Sequence, residues 1–226
     1  MKLCQITSLT VVALLFAITG NSQSSHSYMW ETEFELEWGK EEPWSHSFSI
    51  GNRGLIKERM ESETLAEGRN LHLEIQHFSH YTLNTKTDVG FGVRYRFREA
   101  FDKSLHDEFR LMQEIGYGSE SGIIILGHRG RFEQRFRGPE TIFRLRYQLE
   151  AGYPLSEVFE LQASTEALYA VSAQAKPEAE QRFTLQIENS SFEKVGISLG
   201  AEYRLEDYIN RIGYEYFVFT GVSLKL

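Results

Sequence analysis

The sequence predicts an all-β chain: a single antiparallel up-and-down transmembrane β-barrel of about ten to twelve strands, behind a cleaved signal peptide. Three observations predict it. An apolar run near the N-terminus is too short to cross a membrane as a helix. Segments of strict period 2 recur along the rest of the chain. The connections between them alternate between short turns and longer, charged loops, as in barrels that cross a membrane.

The chain opens with "MKLCQITSLTVVALLFAITGNSQSS", in which Lys2 is the one charge and Leu9 to Ile18 form the apolar run. This is the length of a signal-peptide h-region, and Gly20 and Ser22 are small enough for the residues before a cleavage site. The expected division is therefore 1–22 signal peptide and 23–226 barrel domain, exported by the general secretion pathway. Cys4, the one cysteine, is lost with the signal, so the mature chain cannot form an internal disulfide. Lys+Arg 24 against Asp+Glu 32 gives a net charge of −8, which argues against nucleic acid as a partner. No later apolar stretch has the roughly 20 residues of a membrane-spanning helix. A membrane location must then be reached with strands.

The first strand is "WETEFELEW", Trp30 to Trp38, with Trp30, Thr32, Phe34, Leu36 and Trp38 on one face and Glu31, Glu33, Glu35 and Glu37 on the other. Trp44 to Arg53 and Asn70 to Tyr81 follow. "TDVGFGVRYRFR" sets Val89, Phe91, Val93, Tyr95 and Phe97 against Arg94, Arg96 and Arg98. Next come Glu108 to Tyr117 and Ile123 to Phe136, and then "IFRLRYQLEAGY", with Phe143, Leu145, Tyr147 and Leu149 opposite Arg144, Arg146 and Glu150. Val158 to Val171 and Arg182 to Glu188 are weaker. "KVGISLGAEYRL" places Glu202 and Arg204 on its polar face, and Ile212 to Leu226 ends the series. The segments number about eleven, and because single-chain bacterial barrels have even strand counts, ten or twelve is expected. Pro43, Pro139, Pro154 and Pro177 fall between segments, where a missing N–H costs no ladder bond.

Short turns are expected at "LNTKT", "SESG", "PLS" and "NSSFEK", and longer or more charged loops at Gly54 to Gly68, "EAFDKSLHDE", "SAQAKPEAEQ" and "EDYINR", with "RGPE" short but placed in the same series. In a transmembrane barrel the short set is periplasmic and the long set external.

Alternation alone does not say which face is inside. The polar face is rich in arginine and glycine: Arg94, Arg96, Arg98, Arg110, Arg129, Arg131, Arg135, Arg144 and Arg146, with Glu108, Glu114, Glu133 and Glu150 among them. A solvated exterior favours lysine and has no need of glycine, whereas a narrow interior needs small residues beside long guanidinium side chains that pair with carboxylates. The other face carries aromatics near strand ends, Trp30, Trp38, Phe97, Phe136 and Tyr153, as an interfacial girdle does. The expected lumen ladder is Glu31, Glu33, Glu35, Glu37, the nine arginines, Glu133, Glu150, Glu202 and Arg204. It is expected to fill the barrel and hold the strands in register, in a non-enzymatic protein that is structural or a small passive pore, while a ladder that selects anions or binds an acidic ligand is the alternative. A soluble lipocalin-like barrel with an apolar interior is the alternative.

The segments "GHRGRFEQRF", "FRLRYQLEAGYPL", "EAEQRFTLQI" and "GAEYRLEDY" resemble the barrel family catalogued as domain of unknown function number 2490, common in Bacteroidota. The resemblance implies an outer-membrane location in a Gram-negative cell and no particular activity. Outer-membrane lipid and, during biogenesis, the barrel-assembly machinery are the partners expected. The oligomeric state stays open.

One motif carries possible chemistry. "QHFSH" puts His77 and Ser79 on one strand face, similar to the His-x-Ser pair of outer-membrane lipid A deacylases, where a ring nitrogen must reach the hydroxyl to remove its proton. A lipid hydrolase is thus an alternative, although the pair stands beside the short turn "LNTKT" and has no evident third member. The histidines lack metal-ligand spacing and "VGFGVRY" lacks a phosphate loop, so neither metal nor cofactor is expected.

Overall fold

The computed structural model describes residues 25–39, 43–60, 63–98 and 105–226; the signal segment lies outside them. The described residues form eleven strands: β1 Ser25–Trp38, β2 Trp44–Met60, β3 Glu63–Asn84, β4 Thr87–Arg98, β5 Glu108–Ser121, β6 Ile124–Arg137, β7 Glu140–Pro154, β8 Phe159–Ser172, β9 Glu178–Phe192, β10 Val195–Glu206 and β11 Gly213–Lys225. Each strand pairs antiparallel with its sequence neighbours, and β1 closes the barrel against β11.

The closure corrects the parity argument. β1 and β11 run parallel, from His26 opposite Tyr214 to Glu37 opposite Lys225, so an odd number of strands closes without a missing or split member. The expectation of ten or twelve fails because it assumes that every ladder is antiparallel.

Among the described connections the largest difference from expectation lies between β2 and β3. β9 also takes in the end of "SAQAKPEAEQ" and most of "NSSFEK", and residues 99–104 of "EAFDKSLHDE" lie outside the described residues. Within Gly54 to Gly68 the described residues, 54–60 and 63–68, are the paired ends of β2 and β3, with bulges at Arg53/Gly54 and Glu58/Arg59. Lys57 and Glu67 pair there at 2.8 Å, and β1 joins the same extension, Ser25 lying opposite Met60. Arms that project beyond lipid have water on both faces, so they carry no apolar alternation and their sequence reads as a loop.

Side-chain exposure is inverted relative to a soluble protein. Leu145 is 63% and Leu199 58% exposed on the outer face, with Phe91, Ile115, Phe143, Leu185 and Val218 in the same belt, while Glu108 and Glu133 are 0% exposed inside. This inversion rules out the lipocalin-like alternative: the interior is ionic and the apolar surface is outermost, as a barrel solvated by lipid requires.

Aromatic rows border the belt at both ends. Toward the short turns, Trp38 stacks on His46 and His77, and Trp44 meets Tyr81 edge-on. Toward the long loops, His26 stacks on Tyr214 and Tyr28 on Tyr216 across the parallel seam. Glycine admits rings at close quarters: a Cβ on Gly92 would lie 2.5 Å from the ring of Phe78, its direct cross-strand partner. Phe78 is thereby held inside the lumen, with the guanidinium of Arg131 5.0 Å from its ring centroid.

Candidate functional site: the lumen

Period 2 sends every second residue of the tilted strands inward, so the interior is built from one face of all eleven strands. Its middle is an ion network, which Glu133 anchors. Its carboxylate lies 2.6 Å from Arg146, 3.8 Å from Arg110 and Arg144, and 4.0 Å from Arg131. Glu108 holds Arg110 at 2.5 Å, Arg135 at 2.6 Å and Arg137 at 2.8 Å. From Arg146 the network continues to Glu166 at 2.6 Å; Arg182 bridges Glu166 at 3.6 Å and Glu180 at 2.6 Å; Glu180 lies 4.0 Å from Arg204. Arg204 also meets Glu202 and Glu215. On the other side Arg131 reaches Glu114 at 2.6 Å, and Glu114 meets His80 at 2.7 Å.

A recurring local geometry supports this network. In Glu108-Phe109-Arg110, Glu180-Gln181-Arg182 and Glu202-Tyr203-Arg204 the arginine Nε donates back to Oε1 of the glutamate two residues earlier. Residues two apart on a strand share a face, so each Glu-x-Arg triplet is a self-paired unit that projects its remaining N–H groups across the lumen.

Toward the long loops an apolar patch stands on the wall made by β11, β1 and β2. Met29 sits across the ladders from both Leu55 and Phe217, and Leu71 packs on the three. The guanidiniums of Arg53 and Arg204 lie 4.8 and 3.8 Å from the Phe217 ring centroid. Toward the short turns the lining changes to Glu33, Glu35, Glu37 and Glu188 beside the small residues Gly196, Ser198 and Gly221. A cavity of about 650 Å3 begins among these glutamates and runs through the middle of the barrel, where Arg110, Arg131, Arg144, Arg146 and Arg182 of the network form part of its wall. A second cavity, about 390 Å3, lies at the long-loop mouth; the two share Arg53 and Arg96 as walls.

The residues singled out from sequence are placed as follows. Arg110, Arg129, Arg131, Glu133, Arg135, Arg144, Arg146, Glu202 and Arg204 meet in the central network. Arg94 and Arg96 pair instead with Glu74, at 2.9 and 2.7 Å, and Glu31 with Arg53 at 2.7 Å. Glu33, Glu35 and Glu37 line the larger cavity. Glu150 accepts a hydrogen bond from Gln148 on its own strand, and Arg98 lines the mouth cavity. Sequence reasoning missed Glu74, Glu166, Glu180, Arg182, Glu215 and Arg53. The Glu-x-Arg spacing would have found Glu180 and Arg182.

The His77–Ser79 pair lies on the lipid side. Ser79 Oγ is 3.1 Å from His77 Nε2 and 2.9 Å from His46 Nδ1, so two imidazoles share one hydroxyl. Among the described residues no carboxylate is bonded to either ring, and the group that would orient a general base is lacking. The three residues sit within the aromatic row beside Trp38 and Trp44. His80, one residue on, points into the lumen.

Among solved structures the barrel is similar to a loop L8 deletion mutant of OmpT, an outer membrane protein of Vibrio cholerae, at 12% identity and TM-score 0.41, with 73% of this chain and 57% of that one covered. In-vitro folded OmpT of Vibrio cholerae is similar at 7% identity and TM-score 0.42, covering 84% of this chain and 89% of that one. The NanC porin is similar at 9% identity and TM-score 0.42, covering 76% and 86%. No curated protein matches the chain. The model of the family described as a protein of unknown function (DUF2490) matches residues 17–215, nearly the whole barrel, and the chain belongs to that family.

Proposed function

We propose that this protein is a non-enzymatic outer-membrane barrel whose lumen is closed to passive ion flow. The observation that carries the reading is the central network. It crowds the middle of the interior with buried pairs and holds more arginines than carboxylates, with an apolar patch toward the long loops and a glutamate-rich wall toward the short turns. A cation entering from the long loops meets the arginines, and an anion entering from the short turns meets the glutamates first; charge of either sign faces a barrier. In planar bilayers the purified protein is expected to show no steady conductance in molar salt. A stable open channel at low voltage would end this reading.

The signal segment and the outward apolar belt support export to the outer membrane, with the short turns in the periplasm. The barrel should fractionate with outer membrane and need detergent for extraction. Sidedness is testable because loss of Cys4 leaves no background thiol. Lys176→Cys, in the exposed loop between β8 and β9, is expected to react with a membrane-impermeant thiol reagent on intact cells, whereas Thr85→Cys, in the β3–β4 turn, is not. Labelling of Thr85→Cys alone would invert the orientation.

A further inference from the structure

The mouth cavity has a composition that the closed lumen does not call for. Among the described residues five arginines line it, Arg53, Arg69, Arg96, Arg98 and Arg137, against a single lining carboxylate, Glu215. Three of the five are fixed in one manner. Arg53 grips Glu31 Oε2 through Nε and Nη2, at 3.0 and 2.7 Å. Arg96 does the same to Glu74 Oε2, at 2.8 and 2.7 Å. Arg137 does so to Glu108 Oε2, at 3.2 and 2.8 Å. Each side-on fork leaves the Nη1 amino group outside the pair and locks the guanidinium plane, so donors are held in place before anything binds. Met29, Leu71 and Leu105 supply an apolar wall. Met29 also packs with Leu55 and Phe217, so this wall is anchored in the one apolar cluster of buried residues found among the described residues.

From this we propose that the long-loop mouth is a binding site for an organic anion, a phosphate monoester or carboxylate whose oxygens take the forked arginines while a compact apolar body lies against Met29, Leu71 and Leu105. A volume of about 390 Å3 suits a head group or small metabolite, toward the lower end of the roughly 300–1,000 Å3 of ligand pockets. The anion is either a free solute or the head group of a lipid. The inference does not depend on which side of the membrane the mouth faces, nor on whether the lumen conducts.

The test uses the full barrel in detergent and isothermal titration with phenyl phosphate, phenol and inorganic phosphate. Phenyl phosphate is expected to bind at one site, at least about tenfold tighter than either of the others. Arg98→Gln with Arg137→Gln should weaken it about tenfold or more, while Glu108 keeps Arg110 and Arg135 and the barrel stays folded by gel mobility. Lys176→Gln, removing a cation that is not part of the cavity lining, should leave binding unchanged. Absence of phenyl phosphate binding, equal binding of phenol, or an equal loss on Lys176→Gln overturns the proposal. In lipid discs, competition by phosphatidate but not phosphatidylcholine identifies a head group as the source; no competition identifies a free solute.

Discussion

Replacing Glu133 by Ala is expected to destabilise the folded barrel strongly. Its side chain is wholly buried and is the one carboxylate on which Arg110, Arg131, Arg144 and Arg146 converge. A buried ion pair adds little net stability over an apolar replacement, because desolvation offsets the attraction, but removing one member leaves the others charged and unmatched, at about 3–5 kcal/mol. Here each of the four keeps a second carboxylate, Glu108 for Arg110, Glu114 for Arg131, Glu180 for Arg144 and Glu166 for Arg146, so the cost falls as one uncompensated buried charge shared by the network. The measurement is urea unfolding from lipid vesicles, followed by tryptophan fluorescence and by the mobility difference between folded and boiled protein on gels. A second substitution, Arg146→Gln, should recover part of the loss, because Glu166 keeps Arg182 nearby. If Glu133→Ala folds with unchanged stability, the network is surface-like and water-filled, and the sealed-lumen reading fails with it.

The second large effect is expected on the opposite face. Leu145 lies near the middle of β7, between Phe132 and Tyr169 on the flanking strands, and is among the most exposed apolar residues of the belt. Leu145→Arg places a guanidinium in hydrocarbon, which costs about 2–4 kcal/mol near the midplane of a membrane barrel. Folding into vesicles should slow, and the folded fraction should fall. Its neighbour Arg144 provides the contrast, since Arg144→Gln leaves Glu133 with Arg146 and Glu180 with Arg182. Normal insertion of Leu145→Arg together with failure of Arg144→Gln would exchange the two faces and return the barrel to solution.

Most of the architecture was legible because lipid and lumen demand opposite side chains, and strands alternate between the two. All eleven segments in the sequence correspond to strands, including the weak Arg182 to Glu188, which is the centre of a longer β9. What stayed hidden has physical reasons. Strand β8, "FELQASTEALYAVS", faces the lumen with one charge at its centre, Glu166, among small residues, so its role as a hinge of the network shows only in space. Pairings such as Arg144 with Glu180 join residues 36 apart, and no local pattern announces them. The Glu-x-Arg triplets are the exception, because both partners lie on one strand. The parity of the barrel was unreadable for another cause: a parallel seam has the same alternation as an antiparallel one.

That seam has a consequence for the two ends of the barrel. β1 begins beside Met60, at the long-loop mouth, while the last backbone bond of the closure joins Leu226 to Glu37 beside the short turns. Strands that run the same way start at the same mouth, so the entry to β1 and the exit from β11 are separated by the full height of the wall. A reporter fused ahead of Ser25 would sit at one membrane face and a reporter fused after β11 at the other, which makes the barrel a two-faced scaffold. Circular permutation, tolerated where chain ends lie together, is correspondingly closed to it. A direct linker would have to run the length of the twelve-residue seam, on the order of 30–40 Å at about 3.3 Å per residue, through a charged and packed interior or along lipid.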